Sequence, residues 1–157
     1  MFSLDVYAYP VSEPKESADE QEVLDDEDVH FAHSATLRIF GAIPDLDEIT
    51  LTLKLQPTNV HRRGERRGPQ SPLYKHDMWS YLAPVPEERP LQVHVDTLWS
   101  HLRPHQDYLL GLKSRLTVDV ICGYRSNSGT AGIEVPYASL EMFTVLEIPF
   151  GLSIIVA

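Results

Sequence analysis

The chain has a single cysteine, Cys122, which excludes an internal disulfide. None is needed, because one domain of 157 residues buries about two thirds of the surface its unfolded chain exposes. The sequence has no basic and apolar leading stretch and no apolar run near membrane-spanning length, so the expectation is a soluble, cytosolic protein. It also lacks a phosphate-binding glycine loop, a serine elbow and a paired-cysteine metal motif. No internal repeat and no second domain is visible.

What the sequence does have is acid, unevenly placed. The net charge is -10. Residues 1–33 carry ten acids against Lys15, whereas the remainder has thirteen acids against twelve bases. Few large apolar residues between Pro10 and Asp28 offset the entropy of ordering, so this stretch reads as a flexible acidic leader. It would serve as a solubilising segment, as an electrostatic lure or as a mimic of nucleic acid. Phe2, Leu4, Val6 and Ala8 alternate, and residues 2–8 would make an extra edge strand.

Regular structure is legible after the leader. Ala35, Leu37 and Ile39 alternate with Thr36, Arg38 and Phe40 as a strand ended by Gly41. Asp45 and Glu48 have the spacing of a helix N-cap and its reciprocal carboxylate, and Ile49, Leu51 and Leu53 give the helix apolar surface. Strands are expected over Asn59–Arg63 and His76–Leu82, separated by a loop rich in Pro, Gly and Ser. Glu87, Glu88 and Pro90 start a helix in which Leu91, Val95, Leu98 and Leu102 share a face, until Pro104 breaks it. Tyr108 to Leu112 form a further short helix. Leu116, Val118, Val120 and Cys122 make the clearest strand, in a central position. Ile133–Val135 reads as a short strand, Tyr137–Leu146 as a helix, and Leu152–Val156 as a buried closing strand. The expected fold is α+β: a single domain over residues 34–157, with a mainly antiparallel sheet and helices packed on one face.

The pieces LRIFG (Leu37–Gly41), DLDEIT (Asp45–Thr50), the LQPT turn (Leu55–Thr58) followed by basic residues and Gly64, and MWS (Met78–Ser80) stand in an order that resembles a bacterial family known as domain of unknown function 4279. Weaker agreement continues through Val95–His105 and Thr117–Tyr124 to the closing GLSIIVA. The resemblance implies a small α+β domain in the bacterial cytosol and brings no catalytic residues with it.

Candidate chemistry is sparse. The chain has seven histidines, but His101 and His105 straddle Pro104, and His30 and His33 sit beside the acidic leader, so neither pair has the third ligand of a catalytic metal site. Cys122 would be a nucleophile only with a histidine beside it; its alternation with Val118 and Val120 reads as a buried small hydrophobe. Glu87 and Glu88 are explained by the helix dipole. Four arginines wound around Gly64, namely Arg62, Arg63, Arg66 and Arg67, offer planar donors for carboxylate or phosphate, with His61, Lys75 and His76 as further contributors. Tyr74, Trp79 and Tyr81 would supply stacking faces nearby. The cluster reads either as a solvated loop or as a site for a phosphate-rich ligand, an acidic protein or the chain's own leader.

The resulting expectation is a small cytosolic, non-enzymatic protein that binds another macromolecule, a protein before a nucleic acid, with no membrane contact, no cofactor and no metal. An antitoxin-like or immunity-like role fits by analogy. The alternatives are a phosphate or nucleic-acid binder that uses the arginine cluster, and an unrecognised hydrolase or transferase.

Overall fold

The structure is a computed structural model that describes residues 31–128 and 132–157. The expected flexible acidic leader, with its edge strand at residues 2–8, lies outside these apart from residues 31–33. Strand β1 (Phe31–Gly41) is followed by helix α1 (Leu46–Leu53), strands β2 (Asn59–His61) and β3 (Asp77–Leu82), helices α2 (Leu91–Leu102) and α3 (Gln106–Leu112), strand β4 (Thr117–Ser126), helix α4 (Glu141–Val145) and strand β5 (Gly151–Val156). The five strands form one sheet in the order β2-β3-β1-β4-β5. All neighbours are antiparallel except β4 and β5, which run parallel.

The two-residue period of β1 decides the layering. Ala35, Leu37 and Ile39 lie opposite Cys122, Val120 and Val118 of β4, while Leu37 and Ile39 also face Tyr81 and Trp79 of β3. Apart from the half-buried Tyr81, these side chains are buried. They join one apolar core with Ile49 and Leu53 of α1, Val95 and Leu98 of α2, Leu109 of α3 and Met142 of α4. Full burial of each large apolar side chain stabilises the fold by about 1.5–3 kcal/mol, so the helices cover this face of the sheet. The other face presents Thr36, Arg38 and Phe40 of β1, Met78 of β3 and Asp119 of β4.

Local signals set the helix ends. The Asp45 carboxylate accepts a hydrogen bond from the Asp47 N–H at 2.9 Å, which caps α1. Lys54 ends that helix in the left-handed region, with φ 55°. α2 begins directly after Pro90 and passes into a 3-10 turn, Arg103–His105, at Pro104, whose ring cannot continue an α-helix.

Three sequence expectations need correction. β1 starts at Phe31 rather than near Ala35, so Phe31, Ala32 and His33 belong to the sheet, paired with Ser126, Arg125 and Tyr124. Ile133–Val135 forms no strand; Ile133 and Val135 pack as irregular chain against the core. The closing strand is not buried. Among the described residues β5 is an edge strand, and Ile154, Ile155 and Val156 are each more than half exposed.

Candidate functional site: a basic loop beside the uncovered face of the sheet

The β2 edge carries the arginines. The connection from β2 to β3 folds back on itself through Gly64 N–H to Tyr74 C=O and Tyr74 N–H to Glu65 C=O, both 2.9 Å. Gly64 has φ +85°, where any side chain would strain the backbone, so this turn depends on glycine. Asp77, the first residue of β3, fastens the turn to the domain. Its carboxylate accepts the backbone N–H groups of Arg63 and Ile43, each at 2.9 Å. These two bonds, more than the nearby Arg62 and Arg63 charges, hold its carboxyl below the ordinary carboxylate range.

The arginines therefore divide. Arg62 is structural: its guanidinium donates to the Ile43 carbonyl at 2.6 Å and lies 3.7 Å from the Asp77 carboxylate. Arg63, Arg66 and Arg67 are exposed, and the guanidinium of Arg66 makes one long contact, 3.5 Å, with the Pro69 carbonyl.

Next to this loop, the uncovered face of the sheet has a depression of about 230 Å³ lined by Arg38, Phe40, His61, Tyr74, Lys75 and His76, with Met78 below. His61 and Tyr74 stack with ring centroids 3.6 Å apart and planes 10° from parallel. Phe40 lies 6.3 Å from His76. Arg38 sits 5.5 Å over the Phe40 ring and is neutralised by a bidentate pair with Asp119, its cross-strand neighbour, at 2.8 and 2.6 Å.

The aromatic residues singled out in the sequence fall elsewhere. Trp79 has no exposure, and its indole N–H donates to Thr50 Oγ1 at 2.9 Å in the core between β3 and α1. It offers no face to a ligand. Tyr81 is half-buried on the same side, with its hydroxyl 3.0 Å from His101 Nδ1, and burial raises its pKa. The sequence pattern placed Trp79 and Tyr81 on the strand without deciding which face the helices cover. Phe40, which alternates out of phase with Leu37 and Ile39, lies on the uncovered face.

A family model described as domain of unknown function (DUF4279) matches residues 30–157. The chain belongs to the DUF4279 family. No curated protein and no solved structure matches it. In this DUF4279 domain Cys122 is fully buried, and desolvation pushes its thiol up to about 11, the reverse of what a nucleophile requires. Among the described residues no three His, Cys, Asp or Glu side chains are disposed to hold a metal ion, and no helix is long and apolar enough to cross a membrane. His101 is engaged with Tyr81, while His105 lies in the 3-10 turn.

Proposed function

We propose that this DUF4279 domain is a non-enzymatic bacterial cytosolic protein that binds the acidic surface of another protein through its β2 edge. The observation that carries the reading is the fastened turn of residues 62–76, which holds Arg63, Arg66, Arg67 and Lys75 at the surface beside a shallow depression walled by aromatic rings. Exposed charge on a pre-ordered loop steers association and loses little conformational entropy on binding. A small acidic α+β domain with such a patch suits an immunity-like role, in which the protein bound is a toxin.

A nucleic-acid partner fits less well. Arg38 is occupied by Asp119 and Arg62 by Ile43 and Asp77, so the remaining cations make a compact patch rather than the long track that follows a phosphate backbone.

The test uses a fluorescent peptide of residues 1–28 as the acidic probe and random single- and double-stranded oligonucleotides as the competing class. Both are titrated into the full chain and into a chain beginning at residue 29. The expected result is salt-sensitive peptide binding by the shortened chain that is lost in Arg63→Ala/Arg66→Ala/Arg67→Ala, and no oligonucleotide affinity near physiological salt. Salt-sensitive binding of many oligonucleotides alike would move the function to nucleic acid.

A further inference from the structure

The opposite end of the sheet holds buried polar groups that the β2 edge does not use. His33 of β1 and Tyr124 of β4 are cross-strand partners whose rings lie 5.2 Å apart. Phe31 stacks with Tyr124 at 6.1 Å, with planes 20° from parallel. The Tyr124 hydroxyl and His33 Nδ1 are buried without a hydrogen-bond partner, and Tyr124 as a whole is only 6% exposed. Behind them the His94 imidazole, 6.5 Å from His33, is 1% exposed and also unpartnered at both nitrogens. Burial depresses its pKa, against the Arg89 and Pro86 backbone and the Glu88 carboxylate, which favour the proton.

Buried polar atoms without a partner are costly, and Tyr124 and His33 border a cavity. It measures about 260 Å³ and is lined by Phe31, His33 and Tyr124 together with Ile133 and the exposed carboxylates of Glu88 and Glu134. This is smaller than the ~300–1,000 Å³ of ordinary ligand pockets, which limits the occupant to a group about the size of one side chain. Tyrosine oxygen, an imidazole nitrogen and two carboxylates offer hydrogen-bond acceptors, and an aromatic face attracts a flat cation.

We propose that this cavity binds an alkylguanidinium group, with the guanidinium plane against the Phe31 ring, its N–H groups donating to Tyr124 Oη and His33 Nδ1, and its charge balanced by Glu88 and Glu134. The proposal rests on the β4 end of the sheet alone and is independent of the basic loop. The same chemistry is presented by a free small molecule and by an arginine side chain on another protein.

The test is a titration of the full chain, followed by the ring resonances of His33 and Tyr124 and the amide of Gly132. The probes are n-butylguanidinium, the capped tripeptide Gly-Arg-Gly, and butanesulfonate as the anion of similar length. Saturating shifts with n-butylguanidinium and none with butanesulfonate are expected. Glu88→Gln/Glu134→Gln, two exposed substitutions that leave the core untouched, should weaken binding about tenfold, as expected for a loss of roughly 1.4 kcal/mol. Tripeptide binding as tight as that of n-butylguanidinium identifies an arginine side chain as the ligand; exclusion of the tripeptide identifies a free small molecule. Absence of saturating shifts, equal shifts with the sulfonate, or unchanged affinity in the double variant would overturn the proposal.

Discussion

Among the described residues, the two edges of this sheet differ in how far they are protected. The β2 edge is short, three residues long, and is continued by a turn that carries exposed cations and is pinned by Asp77. The β5 edge is six residues long and shows three consecutive aliphatic side chains to solvent. Short strands and charges are the usual means of keeping an edge from pairing with another chain, and the molecule applies them at one edge only. Exposed charge is therefore concentrated at the β2 edge and exposed aliphatic surface at the β5 edge.

The sharpest way to break this comparison is at Asp77. Asp77→Ala removes the acceptor of two backbone N–H groups, so it should cost about 2 kcal/mol of stability, as loss of bonds to a charged group does. It should also loosen the turn that displays Arg63, Arg66 and Arg67. Denaturant unfolding measures the first effect, and faster amide exchange at Gly64 and Tyr74 the second. Unchanged exchange would mean that the turn holds without its staple.

Acid should act first at the β5 side. His94 has a depressed pKa in the folded protein, so the unfolded chain takes up a proton that the folded one resists. Stability should be level above the ordinary imidazole value of about 6.5 and fall below it, by at most ~1.4 kcal/mol per pH unit for one proton. The depressed carboxyl of Asp77 places the corresponding loss at the β2 side lower, beginning near the ordinary carboxylate value and continuing below it. Chemical unfolding of the wild type and His94→Leu between pH 7 and 5, about the span over which imidazole titrates, decides this. A fall of the same slope in the variant would assign the effect to another group.

The smallest effect is expected at β5 itself. Ile155→Lys places a charge on a side chain already 56% exposed and should change the unfolding free energy by less than about 0.5 kcal/mol. A larger loss would show that Ile155 is covered in solution.

The sequence was most legible where one periodicity answered one question. The alternation of β1 and β4 located the core side chains, and Cys122 was placed correctly in it. Asp45 and Pro104 marked helix boundaries because capping and the missing proline N–H act locally. Burial was harder to read. An aliphatic run such as Leu152–Val156 looks the same at the middle of a sheet and at its edge, and only strand order separates them. The same limit misplaced Trp79, since a period of two says that neighbours face apart and not which face the helices cover. The arginines were visible as a cluster, but their division needed the Asp77 and Ile43 contacts, which come from other parts of the chain. The grouping of His33, His94 and Tyr124 had no local signal at all, because sheet register and the packing of α2 bring them together.

The row that joins Phe31 to Ser126 and Ser126 to Val156 has a consequence for the connectivity of the domain. It sets the first residue of β1 and the last of β5 two strand spacings apart, roughly 10 Å, a gap that a linker of about four residues can bridge. With the ends of the sheet joined in this way, new ends opened at the exposed Gln70 in the β2 to β3 loop would leave every strand pairing in place. The architecture therefore admits circular permutation, and its order of strands in space does not depend on which strand comes first in the chain.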